Sequence, residues 1–98
     1  MSDVLPGECR YFLTYSGITL PLNLVSPLES VDHRNTYYRG YFDEEQRLTG
    51  CQKIVYNEVE TQHLYGYHPN GKLKEAEITD ADGDVTVLNF DDQGQPVG

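Results

Sequence analysis

Three histidines and two cysteines are the residues of this 98-residue chain best suited to hold a metal or to act as nucleophile and base. Their spacing argues against both. His63 and His68 stand five apart in what reads as one strand, so they point to opposite faces and could share a metal only across a bulge. His33 sits in a loop beside Asp32, while Cys9 and Cys51 lie far apart with no C-x-x-C spacing. No zinc signature or disulfide framework results, and the expectation is two buried, reduced thiols and no metal. The run Asp80-Ala81-Asp82-Gly83-Asp84 offers three carboxylates to a hard cation. Its glycine is fourth rather than sixth, and it runs straight into an apolar strand, so Asp82-Gly83 reads as a hairpin turn. Ser16-Gly17 lacks the frame of a nucleophile elbow, and no glycine loop is built to cradle a phosphate. The chain therefore reads as a non-enzyme with no cofactor.

The elements that carry these residues are strands. Ile18, Leu20, Leu22 and Leu24 fall at every second position, the period of a strand with one buried face. Ser16-Gly17 separates this run from "CRYFLTY", which predicts a first hairpin over 9–25 with a two-residue turn. Pro21 cannot donate to a ladder and predicts a sheet edge or a bulge. Ser26, Pro27 and Glu29 have the order of a helix N-terminus and predict one short helical turn near 27–33. From Thr36 onward, strand-length segments alternate with clusters of Asp, Asn and Gly. The expected fold is all-β: a single antiparallel meander of about seven or eight strands, twisted or partly rolled into an open barrel. One domain spans 1–98, with a flexible N-terminus over 1–8 and repeated hairpins over 36–97.

The hairpins resemble one another. "YFDEEQRL" (41–48), "YHPNGKLK" (67–74) and "NFDDQGQPV" (89–97) each place an aromatic residue before a polar turn, at Phe42, Tyr67 and Phe90. Over residues 38–97 the chain thus resembles the MORN-type hairpin repeats and their antitoxin-like bacterial relatives. The fit is best from Tyr67 to Glu75, and "KEAEITD" lacks the glycine such repeats often carry. As a whole the chain looks like a family of bacterial proteins of about a hundred residues and unknown function. The resemblance implies interaction surfaces rather than catalysis.

Composition narrows the partners. Sixteen acids against seven bases give a net charge of −9, and no base follows Lys74. Direct binding to nucleic acid or to an anionic membrane is disfavoured, since both need clustered Lys and Arg. A partner with a basic surface is favoured. The start "MSDVLPGECRYF" has neither a basic nor an apolar leader region, and "ITLPLNLV" is too short to span a bilayer, so a cytoplasmic protein is expected.

Alternation puts Tyr37, Arg39 and Tyr41 on one face of their strand and Tyr38, Gly40 and Phe42 on the other, while Val59, Thr61, His63, Tyr65 and Tyr67 share a face of theirs. Aromatics on both faces exceed what one small core needs. The leading reading is a protein-binding patch of Tyr37, Arg39, Tyr41, His63, Tyr65 and Tyr67, with Gly40 and Gly66 admitting a close approach. One alternative is acidic mimicry of nucleic acid by Asp80, Asp82, Asp84, Asp91 and Asp92. Another is a small-ligand barrel whose interior holds tyrosines and a histidine. An exposed strand edge leaves a monomer or an edge-strand dimer open.

Overall fold

Runs of β-branched and aromatic residues punctuated by turn formers become eight strands in the computed structural model, which describes residues 5, 7–17 and 20–97. They are β1 (Glu8–Ser16), β2 (Asn23–Leu28), β3 (Thr36–Phe42), β4 (Leu48–Val55), β5 (Glu58–Tyr67), β6 (Leu73–Thr79), β7 (Val85–Phe90) and β8 (Pro96–Val97). All lie in one antiparallel sheet of order β2-β1-β3-β4-β5-β6-β7-β8. The two ends, β2 and β8, do not pair with each other, so the sheet is open and encloses no barrel interior. There is no helix among the described residues, and none long and apolar enough to cross a membrane.

The meander is strict only from β3 onward. β1 pairs with β3, and β2 hangs on the outside of β1. The helical turn expected near 27–33 is absent. Pro27 and Leu28 belong to β2, and Ser26, instead of capping a helix, takes a φ of 60°. The chain then reverses at a turn in which the Arg34 amide donates to the Val31 carbonyl at 3.2 Å, with His33 at φ 66°. Pro27, whose N–H is missing, is tolerated because β2 is an edge strand. Pro21, the proline that predicts an edge, lies before β2.

The first hairpin is also longer than a two-residue turn allows. β2 begins at Asn23, and Leu20 and Leu22 ahead of it lie against the sheet, where the Leu22 amide donates to the Tyr65 hydroxyl at 3.3 Å. Ile18 and most of the expected flexible N-terminus over 1–8 lie outside the described residues; Glu8 already opens β1. Leu20, Leu22 and Leu24 do pack against the buried cluster of Leu48, Cys51, Tyr65 and Ala76. Their alternation therefore reported burial correctly, but two of the three are outside any strand. Cys9 is exposed rather than buried, and both cysteines are free thiols.

Four turns share one hydrogen-bond pattern over five residues. The first residue's amide donates to the fifth carbonyl and the fourth amide donates back to the first carbonyl, at Asp43–Arg47, His68–Lys72, Asp80–Asp84 and Asp91–Gln95. The fourth position always has positive φ: Gln46 at 65°, Gly71 at 88°, Gly83 at 86° and Gly94 at 83°. Where aspartate leads, its Oδ1 accepts from the third and fifth amides, at 2.9–3.0 Å in all three cases. Asp80 and Asp91 are thus fastened into the hairpins they begin.

The central strands are buried from both sides. On one face Gly40 lies under Leu24, Phe12 and Phe42, so a Cβ there would meet the Leu24 Cδ1 at 2.6 Å. On the opposite face Tyr37, Tyr41, Gln52 and Ile54 are buried, with Gln52 and Ile54 at 0% exposure. A fully buried Ile contributes about 2–3 kcal/mol. Burial falls away towards the C-terminus, and β7 is exposed along all but its last residue.

Candidate functional site

The six residues of the expected patch do not form one surface. Register pairs Gly40 with Cys51 and Cys51 with His63, which puts His63 on the face opposite Tyr37, Arg39 and Tyr41. On that latter face the three are tied into a polar network. The Tyr41 hydroxyl donates to Gln52 Oε1 at 3.0 Å, Arg39 Nη1 donates to the same oxygen at 3.4 Å, and Gln52 Nε2 donates to Gln62 Oε1 at 2.9 Å. Burial works against the Arg39 charge, but hydrogen bonds to Tyr37 and Tyr41 outweigh it and hold its pKa above the ordinary value. Tyr11 closes over Tyr37 edge-on at 5.9 Å between ring centres.

The other three expected residues serve the larger core face. The His63 Nδ1 and the Tyr65 hydroxyl are 2.6 Å apart, and the Tyr67 hydroxyl donates to the Leu48 carbonyl. Tyr65 is buried, and burial drives its pKa upward, while Tyr67 is pushed up to about 12 by the same cause. Burial also lowers the His63 pKa, so its imidazole is neutral at pH 7. Arg47, held by Asp43 at 2.9 Å, lies over the Tyr67 ring at 5.3 Å. Gly40 and Gly66 do admit close neighbours, but these are the protein's own Leu24 and Glu75 side chains.

Accessible tyrosines lie elsewhere. Tyr15 packs edge-on to Tyr38 at 5.6 Å, and these two line a groove of about 230 Å³ with Leu22, Lys53, Glu60 and His63. Lys53 is engaged by Glu60 at 3.2 Å. Alternation could have found Tyr38 here, since it opposes Tyr37 on β3, but the approach of Tyr15 depends on the β1–β3 pairing.

The most exposed apolar surface is at β7. Val85, Val87, Leu88 and the adjacent Val97 are 38–55% exposed. Val85 and Val87 share a face, and register sets Val87 against Glu77 and Leu64. β8 covers the outer edge of β7 only at Asn89 and Phe90. The Asp91 amide points towards β8, where it meets the Gln95 carbonyl, and amides alternate along a strand. The outward backbone groups of β7 are therefore those of Val85, Val87 and Asn89. Among the described residues, no strand pairs with the edge at Val85 and Val87.

The acidic residues bracket this strand. Asp80, Asp82 and Asp84 have carboxylate oxygens within 4.8 Å of one another in the turn before β7, and all three residues are exposed. Asp91 and Asp92 lie in the turn after it, roughly 20 Å away for six residues of strand. They form two acidic ends rather than one acidic face. Asp80 already spends Oδ1 on the amides of Asp82 and Asp84, as a hairpin requires.

Compared with known proteins, residues 5–98 match the model of one family, described as a family of unknown function (DUF6156). No curated protein and no solved structure matches the chain.

Proposed function

The chain belongs to this family of unknown function, and on that premise we propose that it is a non-catalytic protein-binding module whose partner adds at the C-terminal end of the sheet. One observation carries the reading: β7 exposes apolar side chains on both faces and, among the described residues, its outer edge is unpaired at Val85 and Val87. Exposed apolar edge strands are ordinarily covered, bent or charged, because they recruit other strands. Here the strand "VTVLNF" holds no charge at all. The resemblance of 38–97 to MORN-type and antitoxin-like hairpin repeats favours binding over catalysis as well. The reading includes a cytoplasmic setting, in keeping with Cys9 and Cys51 as free thiols.

The tyrosine-rich patch, in this reading, holds the sheet together, and the contact moves to β7. A photo-crosslinking residue tests this when placed at Val87 and, for comparison, at Tyr56, which is 71% exposed in the turn between β4 and β5. In native lysate the Val87 probe is expected to form one discrete adduct that unlabelled protein competes away, with none from Tyr56. Equal adducts from both positions, or none from Val87, would reject the reading.

A further inference from the structure

Resting on that reading, we infer that the β7 edge takes one extended segment of another protein, apolar at its upstream end and carrying Lys or Arg at its downstream end. An antiparallel strand added to β7 continues the sheet's own pattern. Among the described residues Val85 to Leu88 lie beyond the cover of β8, so the ladder spans about four residues. The downstream end of such a strand reaches the N-terminal end of β7, beside the Asp80–Asp84 turn. Asp82 and Asp84 are exposed there, and no ion pair engages them among the described residues. The upstream end reaches a groove of about 370 Å³ lined by Leu88, Phe90, Pro96 and Val97. An apolar side chain fits that groove, and a basic one fits the turn.

A second copy fits less well. Pairing β7 with its own two-fold mate sets the acidic turn of each copy beside the same short ladder, between molecules that each carry −9. A basic-ended segment gains what the copy loses.

The test uses full-length protein and a fluorescein-labelled peptide, LVTVKK, read by anisotropy at low and high salt. The matched peptide LVTVEE is the control. LVTVKK is expected to bind at least about tenfold more tightly than LVTVEE, with the difference shrinking at high salt. The variant Val87→Pro removes an outward N–H while leaving the amides that face β6, and is expected to weaken LVTVKK at least about tenfold. If Val87→Pro fails to fold by circular dichroism, Val87→Lys takes its place. Asp82→Asn with Asp84→Asn is expected to erase the preference for the basic ending.

Equal binding of the two peptides, or binding indifferent to the β7 variants, overturns the inference. So does a concentration-dependent dimer that those variants abolish. Crosslinks at Val87 alongside such a failure would leave the protein-binding reading standing and reject only this partner.

Discussion

Replacing Gln52 with leucine tests whether the Tyr37–Arg39–Tyr41 face is held by its polar network. Gln52 is fully buried, and leucine has nearly its volume, so the substitution opens no large cavity. It removes the acceptor of the Tyr41 hydroxyl, a bond of 3.0 Å on a residue only 2% exposed. Loss of the acceptor for a buried donor costs about 1–3 kcal/mol. The longer contact from Arg39, at 3.4 Å, adds little, and half-buried Gln62 can turn towards water. The net loss is about 1–3 kcal/mol, which in a domain of this size lowers Tm by roughly 4–24 °C. Tyr41→Phe in the same background removes the hydroxyl that donated to Gln52, so the double variant should be more stable than the sum of the singles by at least about 0.5 kcal/mol. Thermal denaturation of the four proteins measures the cycle. A Gln52→Leu protein that melts at or above the parent, or a strictly additive double variant, refutes the argument: burying leucine would then outweigh the network.

Gln46 holds the one fourth-position φ, 65°, that the other three turns give to glycine, so Gln46→Gly should raise stability by about 0.5–1 kcal/mol by calorimetry, less whatever its bond from Arg10 contributes. Backbone hydrogen bonding from Arg47, with its side-chain bond, holds the Asp43 pKa below the ordinary carboxylate value. A depressed carboxylate stabilises above its unfolded pKa of about 3.9 and loses that contribution as pH falls through the folded value. Asp43→Ala should therefore lower Tm at pH 7, and the gap from the parent should shrink by pH 2–3. Burial raises the Cys51 thiol to about 12, whereas Cys9 is exposed. Iodoacetamide at pH 8 should add one adduct, at Cys9, to native protein and two to denatured protein by mass spectrometry.

Strand content and turn positions from Thr36 to Val97 were legible because period-two burial and Asp/Asn/Gly clusters are local signals. The front of the chain was harder. Leucines at 20, 22 and 24 alternate because they lie against a sheet face, and a segment packed there can share the period of a strand. The order Ser26-Pro27 suggested a helix start, but an edge position accepts proline just as well, and local sequence does not reveal which strand lies at an edge. The proposed patch failed to come together for the same reason. Alternation says which residues share a face of one strand, but only pairing showed that His63 and Tyr37 look opposite ways. The β7 surface was missed because its apolar run looks like any core strand until its neighbour proves to be two residues long.

The two margins of the sheet are unequal. One ends in β2, where Pro27 lacks a donor and Ser26 bends the backbone to φ 60°, and the other leaves Val85 and Val87 open. A sheet receptive at a single rim cannot stack rim to rim into filaments, since each added molecule would arrive with its blunt side as the only route onward. Assembly of this protein with itself through sheet edges should therefore not propagate, however high the concentration.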